Sequence, residues 1–98
     1  MSQSDIAVET RIKLKEPSRY KVVMLNDDFT PMDFVLAVLT QIFNFDDSTA
    51  LALTYTIHND GKGICGIYTR EVAETKVAET MAAASQFGHP LKAIIEKT

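Results

Sequence analysis

Apolar residues first gather at Tyr20–Leu25 (YKVVML), a short β-branched run that stops abruptly at Asn26-Asp27-Asp28. That combination predicts a buried strand feeding a polar loop. Beyond the loop, Met32, Val35, Leu36, Leu39, Ile42 and Phe43 recur at the spacing of one helix face. Phe34, Ala37 and Val38 add a second apolar stripe, so this helix is expected to be sandwiched between neighbours or partly exposed for binding. Thr30 is the expected N-cap, with Pro31 at the first helical position and Asp33 completing the capping pattern.

A break at Asn44-Phe45-Asp46-Asp47 supplies a capping aspartate for a second helix, in which Ala50, Leu53, Thr54 and Ile57 share one face and Leu51, Tyr55 and His58 a neighbouring one. Asn59-Asp60-Gly61 turns the chain into a second strand, Lys62 to Thr69. There strict alternation puts Ile64, Gly66 and Tyr68 on one face and Cys65 and Ile67 on the other. Two glycines in so short a strand imply that a neighbouring element packs close. Thr69 caps a third helix with Glu71 and Glu74 near its start and an inner stripe of Ala73, Val77, Thr80, Met81, Ala84 and Phe87. Gly88 and Pro90 end it, and Leu91 to Lys97 reads as the last strand. The order β-α-α-β-α-β lacks regular βαβ alternation and predicts an α+β sandwich, with three helices on a three-stranded, mainly antiparallel sheet. Residues 20–98 form the expected single folded core. Met1 to Arg19, polar and without sustained periodicity, is the expected flexible arm.

Composition narrows the function. The chain is 98 residues long with 46% hydrophobic residues, enough for one modest core. A net charge of −3 argues against nucleic acid as a partner. The lone Cys65 allows no internal disulfide, and the first residues show neither a signal-peptide core nor a membrane-spanning run, so a cytoplasmic location is expected. Asp27, Asp28 and His58 have the right chemistry for a divalent cation, but no HExxH, paired-cysteine spacing or EF-hand loop accompanies them, and no metal or other cofactor is expected. Cys65 lies inside a strand with no cationic neighbour to favour a thiolate, no Gly-rich phosphate loop occurs, and two histidines are too sparse to suggest a triad. The residues describe a binding module and not an enzyme. An acidic, amide-bearing loop beside an unusually apolar helix suits a ligand joining a positive group to an apolar side chain, as a protein's own N-terminus does when its first residue is bulky. Charge-assisted hydrogen bonds contribute on the order of 1.5–3 kcal/mol, and burying a Leu or Phe side chain roughly as much. Affinity would therefore demand both features.

The segments Asn26-Asp27-Asp28-Phe29-Thr30-Pro31-Met32, Ile57-His58, Gly61-Lys62-Gly63-Ile64-Cys65-Gly66, Glu71-Val72-Ala73-Glu74-Thr75-Lys76-Val77-Ala78 and His89-Pro90-Leu91 closely resemble, in order, those of the ClpS family of N-degron adaptors. The resemblance implies a protein that binds a free α-amino group on N-terminal Leu, Phe, Tyr or Trp. It implies delivery to the N-domain of an AAA+ unfoldase, ClpA or ClpC, working with ClpP. It assigns Asn26, Asp27 and His58 to the α-amino group, and Thr30, Met32, Val35, Thr54, Ile57 and Leu91 to the side-chain pocket, with Val35 helping to exclude β-branched residues. Glu71, Thr75 and Lys76 become the unfoldase-docking surface, and the arm becomes the segment the unfoldase engages. Thr54 stands where family members often carry Met, which is expected to shift the ranking among preferred residues. The alternative is a non-catalytic interaction domain of ribosomal stalk-like topology without N-terminus recognition, an analogy of fold only.

Overall fold

The computed structural model describes residues 18–98. Apart from Ser18 and Arg19, the expected arm lies outside the described residues. Six elements follow: β1 (Tyr20–Leu25), α1 (Met32–Gln41), α2 (Asp47–Asp60), β2 (Lys62–Tyr68), α3 (Arg70–Gln86) and β3 (Lys92–Lys97). The three helices pack on a three-stranded antiparallel sheet of order β2-β1-β3, so the most apolar strand is central. Its Val22, Val23 and Met24 are all buried.

The sheet has two unlike faces. Val22 and Met24 join Val35, Val38, Leu39, Phe43, Ala50, Ile57, Cys65, Ala73, Ala84, Leu91 and Ala93 in the core. The opposite face carries Val23 with its partners Ile64 and Ile94, and Lys21 with Ile67 and Glu96. Ile64 and Ile67 are half exposed there.

Strict alternation in β2 fails. Val22 pairs with Gly66 but Val23 pairs with Ile64, so Cys65 is an extra residue in a β-bulge. Past it the facing pattern changes phase: Gly66 and Tyr68 lie opposite core-facing residues of β1, while Ile64 and Ile67 share the open face. This corrects the grouping of Ile64 with Gly66 and Tyr68. The glycines do mark close approaches. A Cβ on Gly63 would lie 2.7 Å from Ile57 Cγ1 and 3.0 Å from Leu53 Cδ1, so β2 and α2 pack closer than any larger residue permits. Gly66 is overlaid by the ring of Tyr68.

The helix ends explain where each element stops. Asp46 caps α2 by accepting from the Thr49 N–H at 2.7 Å. Gly61 closes α2 in the left-handed region at φ 87°. At the end of α3, Gly88 (φ 72°) donates to the Ser85 carbonyl and His89 to that of Ala84, the paired bonds of a Schellman motif. Two expected caps differ. Pro31, which has no side-chain acceptor, is the N-cap of α1, and the expected cap, Thr30, turns its hydroxyl back to Asp27. Thr69 stands at the N-cap of α3 without a side-chain bond. Two expected inner residues of α3 also lie outside the core: Met81 is partly exposed, and Phe87, beyond the helix end, is 64% exposed.

Candidate functional site

Leu25, the last residue of β1, pairs with Lys62, the first of β2. The next residues outward, Asn26 and Gly61, therefore meet, and the Asn26 N–H donates to the Gly61 carbonyl at 2.9 Å. His58 sits in the last turn of α2, just before that glycine. Sheet pairing thus brings the acidic loop and His58 together.

Asp27 shapes the loop beyond this junction. Its Oδ1 accepts from the N–H groups of Phe29 (2.8 Å) and Thr30 (2.7 Å), and its Oδ2 from the Thr30 hydroxyl (2.7 Å). Partial burial is the largest single influence on this carboxyl and opposes ionisation. The Thr30 hydroxyl, the two N–H groups and nearby His89 together outweigh it and hold the carboxyl below its ordinary value. A carboxylate has about four acceptor positions. Three are filled here, and the one left open is on Oδ2.

Behind the loop lies a cavity of about 170 Å³ lined by Asn26, Asp27, Asp28, Thr30, Met32, Val35, Thr54, Ile57 and His58. It gathers every residue expected around the α-amino group and the side-chain pocket except Leu91. The inner lining is buried and comprises Val35, Thr54 and Ile57, whereas Asn26, Asp28, Met32 and His58 are exposed. Cavities of roughly 150 Å³ hold a benzene ring, so one large side chain fits. Its buried lining combines the apolar side chains of Val35 and Ile57 with the Thr54 hydroxyl, and its mouth carries carboxylates.

Leu91 is not among the residues lining this cavity; it is buried and lines a separate hollow with Met81, Ala84, Ser85, His89, Pro90 and Lys92. Two participants escaped the sequence reading. Asp28 lines the cavity, though it had been weighed only as a metal ligand. His89 packs edge-on against Phe34 at 4.5 Å between ring centroids, and its charge influences Asp27. No local periodicity marks His89, because the chain returns to this end of the molecule only after α3.

On α3, Glu71, Thr75 and Lys76 line a shallow groove with Val72 and Glu79. Glu71 and Thr75 are exposed, but Lys76 reaches across to donate from Nζ to the Ile42 carbonyl at 2.7 Å. Helix α1 has no basic residue in its last turn, and Lys76 brings an ammonium group to that end from another helix.

The remaining reactive groups are quiet. Burial pushes the Cys65 thiol up to about 12, far from thiolate formation at neutral pH. Among the described residues no three His, Cys, Asp or Glu side chains are grouped to hold a metal ion, and no helix is long and apolar enough to cross a membrane.

The family model described as "ATP-dependent Clp protease adaptor protein ClpS" matches residues 15–94. The chain is 51% identical over 85 residues to the "ATP-dependent Clp protease adapter protein ClpS" of Paraburkholderia xenovorans, covering 87% of this chain and 82% of that one. It is 50% identical over 93 residues to the protein of the same name from Hyphomonas neptunium, covering 95% and 79%. These relatives are named as adapters, not enzymes. Among solved structures, Agrobacterium tumefaciens ClpS2 bound to L-phenylalaninamide is similar, with a TM-score of 0.82 and 35% identity over 85% of this chain and 100% of that one.

Proposed function

The chain belongs to the ClpS family of Clp protease adaptors, and on that premise we propose that it binds proteins through a free α-amino group on N-terminal Leu, Phe, Tyr or Trp and delivers them to the protease's AAA+ unfoldase. The observation that carries the proposal is the cavity itself, with a buried end walled mainly by Val35 and Ile57 behind an ionised carboxylate that, among the described residues, keeps one acceptor position open. Phenylalaninamide, the ligand named with the Agrobacterium structure, offers the matching chemistry: a free amine next to a benzyl side chain.

In this reading the incoming ammonium donates to Asp27 Oδ2, and Asn26 and His58 flank it at the mouth. The side chain enters between Met32 and Val35 of α1 and Thr54 and Ile57 of α2. A branch at Cβ would meet Val35, whose own branched side chain has little rotational freedom, so Val and Ile are disfavoured. The Thr30 hydroxyl acts through Asp27 by holding the carboxylate in place. Docking of the unfoldase falls to the α3 groove at Glu71 and Thr75, with Lys76 partly committed to α1.

The test is fluorescence anisotropy with three labelled peptides differing only at the start: free Phe, N-acetylated Phe and free Val. Binding of the free Phe peptide alone, lost in Asp27→Ala, is the expected result. Equal binding of all three, or of none, sinks the N-terminus reading.

A further inference from the structure

We propose that Thr54 makes the inner end of the cavity a hydrogen-bond acceptor, so that tyrosine is preferred over phenylalanine as the first residue of a bound chain. This rests on the N-terminal reading of the site and specifies its substrate class.

Thr54 is 2% exposed and, among the described residues, is the only polar one of the buried lining, beside Val35 and Ile57. Its hydroxyl hydrogen is already used, donated to the Ala50 carbonyl at 2.7 Å within α2. A hydroxyl in that state has only lone pairs to offer, and donating to a carbonyl polarises the oxygen into a better acceptor. The inner end therefore welcomes a donor. Tyrosine carries one at the tip of its ring, while Phe and Leu carry none. A tyrosine hydroxyl buried among Val35 and Ile57 without Thr54 would lose its water partners uncompensated.

The depth is right. Thr54 lies four residues before His58 on α2, both lining the cavity, which sets it about 6 Å further along the helix axis. This matches the span from a tyrosine Cα to its hydroxyl. With the amine at the mouth beside Asp27 and His58, the phenolic oxygen arrives at the level of Thr54. The cavity, about 170 Å³, admits a ring with one further atom.

The experiment compares peptides identical except for a first residue of Tyr, Phe or O-methyltyrosine, on the wild-type chain and on Thr54→Val and Thr54→Ser, with thermal melts confirming that each variant is folded. Wild type is expected to bind Tyr about three- to tenfold tighter than Phe, and O-methyltyrosine no better than Phe. Thr54→Val, which keeps the shape but not the oxygen, is expected to bring the ratio of Tyr to Phe affinity to about one; Thr54→Ser retains the Tyr advantage. Equal Tyr and Phe affinity in wild type, or an unchanged ratio in Thr54→Val, overturns the proposal and leaves the N-terminus reading standing. Failure of both Tyr and Phe peptides to bind overturns both.

Discussion

Asp27 shows how a single side chain joins fold to function. Its three internal bonds build the loop, and the same bonds that hold it ionised leave one acceptor position on Oδ2 unfilled among the described residues. Replacing it with asparagine keeps the acceptor for the two N–H groups but removes the charge and presents an NH₂ where Oδ2 stood. Asp27→Asn is expected to bind the free Phe peptide at least tenfold more weakly, measured by anisotropy, because a charge-assisted bond of about 1.5–3 kcal/mol is lost. The pH profile follows from the same pair of groups. In the folded chain Asp27 stays ionised for the ligand until pH falls through its lowered value, while its contribution to stability is complete above the unfolded value of 3.8 and fades as pH falls through the folded one. The ligand amine must be protonated, so affinity is expected to fall again above about pH 8. An affinity series across pH that shows no alkaline fall would contradict an ammonium in the site.

Among the elements, the close packing of β2 on α2 sets the width of the site. Gly63 leaves no room for a methyl group against Ile57 and Leu53, and Ile57 is itself part of the cavity wall. Gly63→Ala is expected to destabilise the chain by about 1–3 kcal/mol, seen in chemical denaturation, and to weaken peptide binding as α2 is displaced. Unchanged stability would mean that the two elements separate easily. The elements were the most legible part of the sequence. Apolar spacing located α1 and α2, and glycine and proline located the ends of α2 and α3. What escaped depended on partners distant in the chain. The bulge at Cys65 reflects how β2 fits β1, and Thr30 looked like an N-cap because its competitor, Asp27, could not be weighed without coordinates. Of the candidate site, the loop, α1 and α2 residues are readable as motifs, whereas Leu91 is assigned to the pocket by resemblance alone and the cavity is lined without it.

At the scale of the molecule, Lys76 ties the helix of the α3 groove to the far end of the helix that walls the cavity. Mutations there need careful separation. Lys76→Met is expected to lower stability by on the order of 1 kcal/mol by removing the hydrogen bond to Ile42, whereas exposed Glu71→Lys leaves stability and peptide affinity as in wild type and weakens unfoldase association. Melting curves beside unfoldase pull-down with both variants make the comparison. A stable Lys76→Met would show the cross-helix bond to be dispensable.

The helices and the cavity share one side of the sheet, and the chain's single cysteine is buried within it with its thiol held out of reach of ordinary alkylating reagents. The protein therefore comes with its native thiol already masked. An Ile67→Cys substitution on the open face would supply one accessible sulfur for a dye, a spin label or a surface tether, on the side of the sheet away from the cavity.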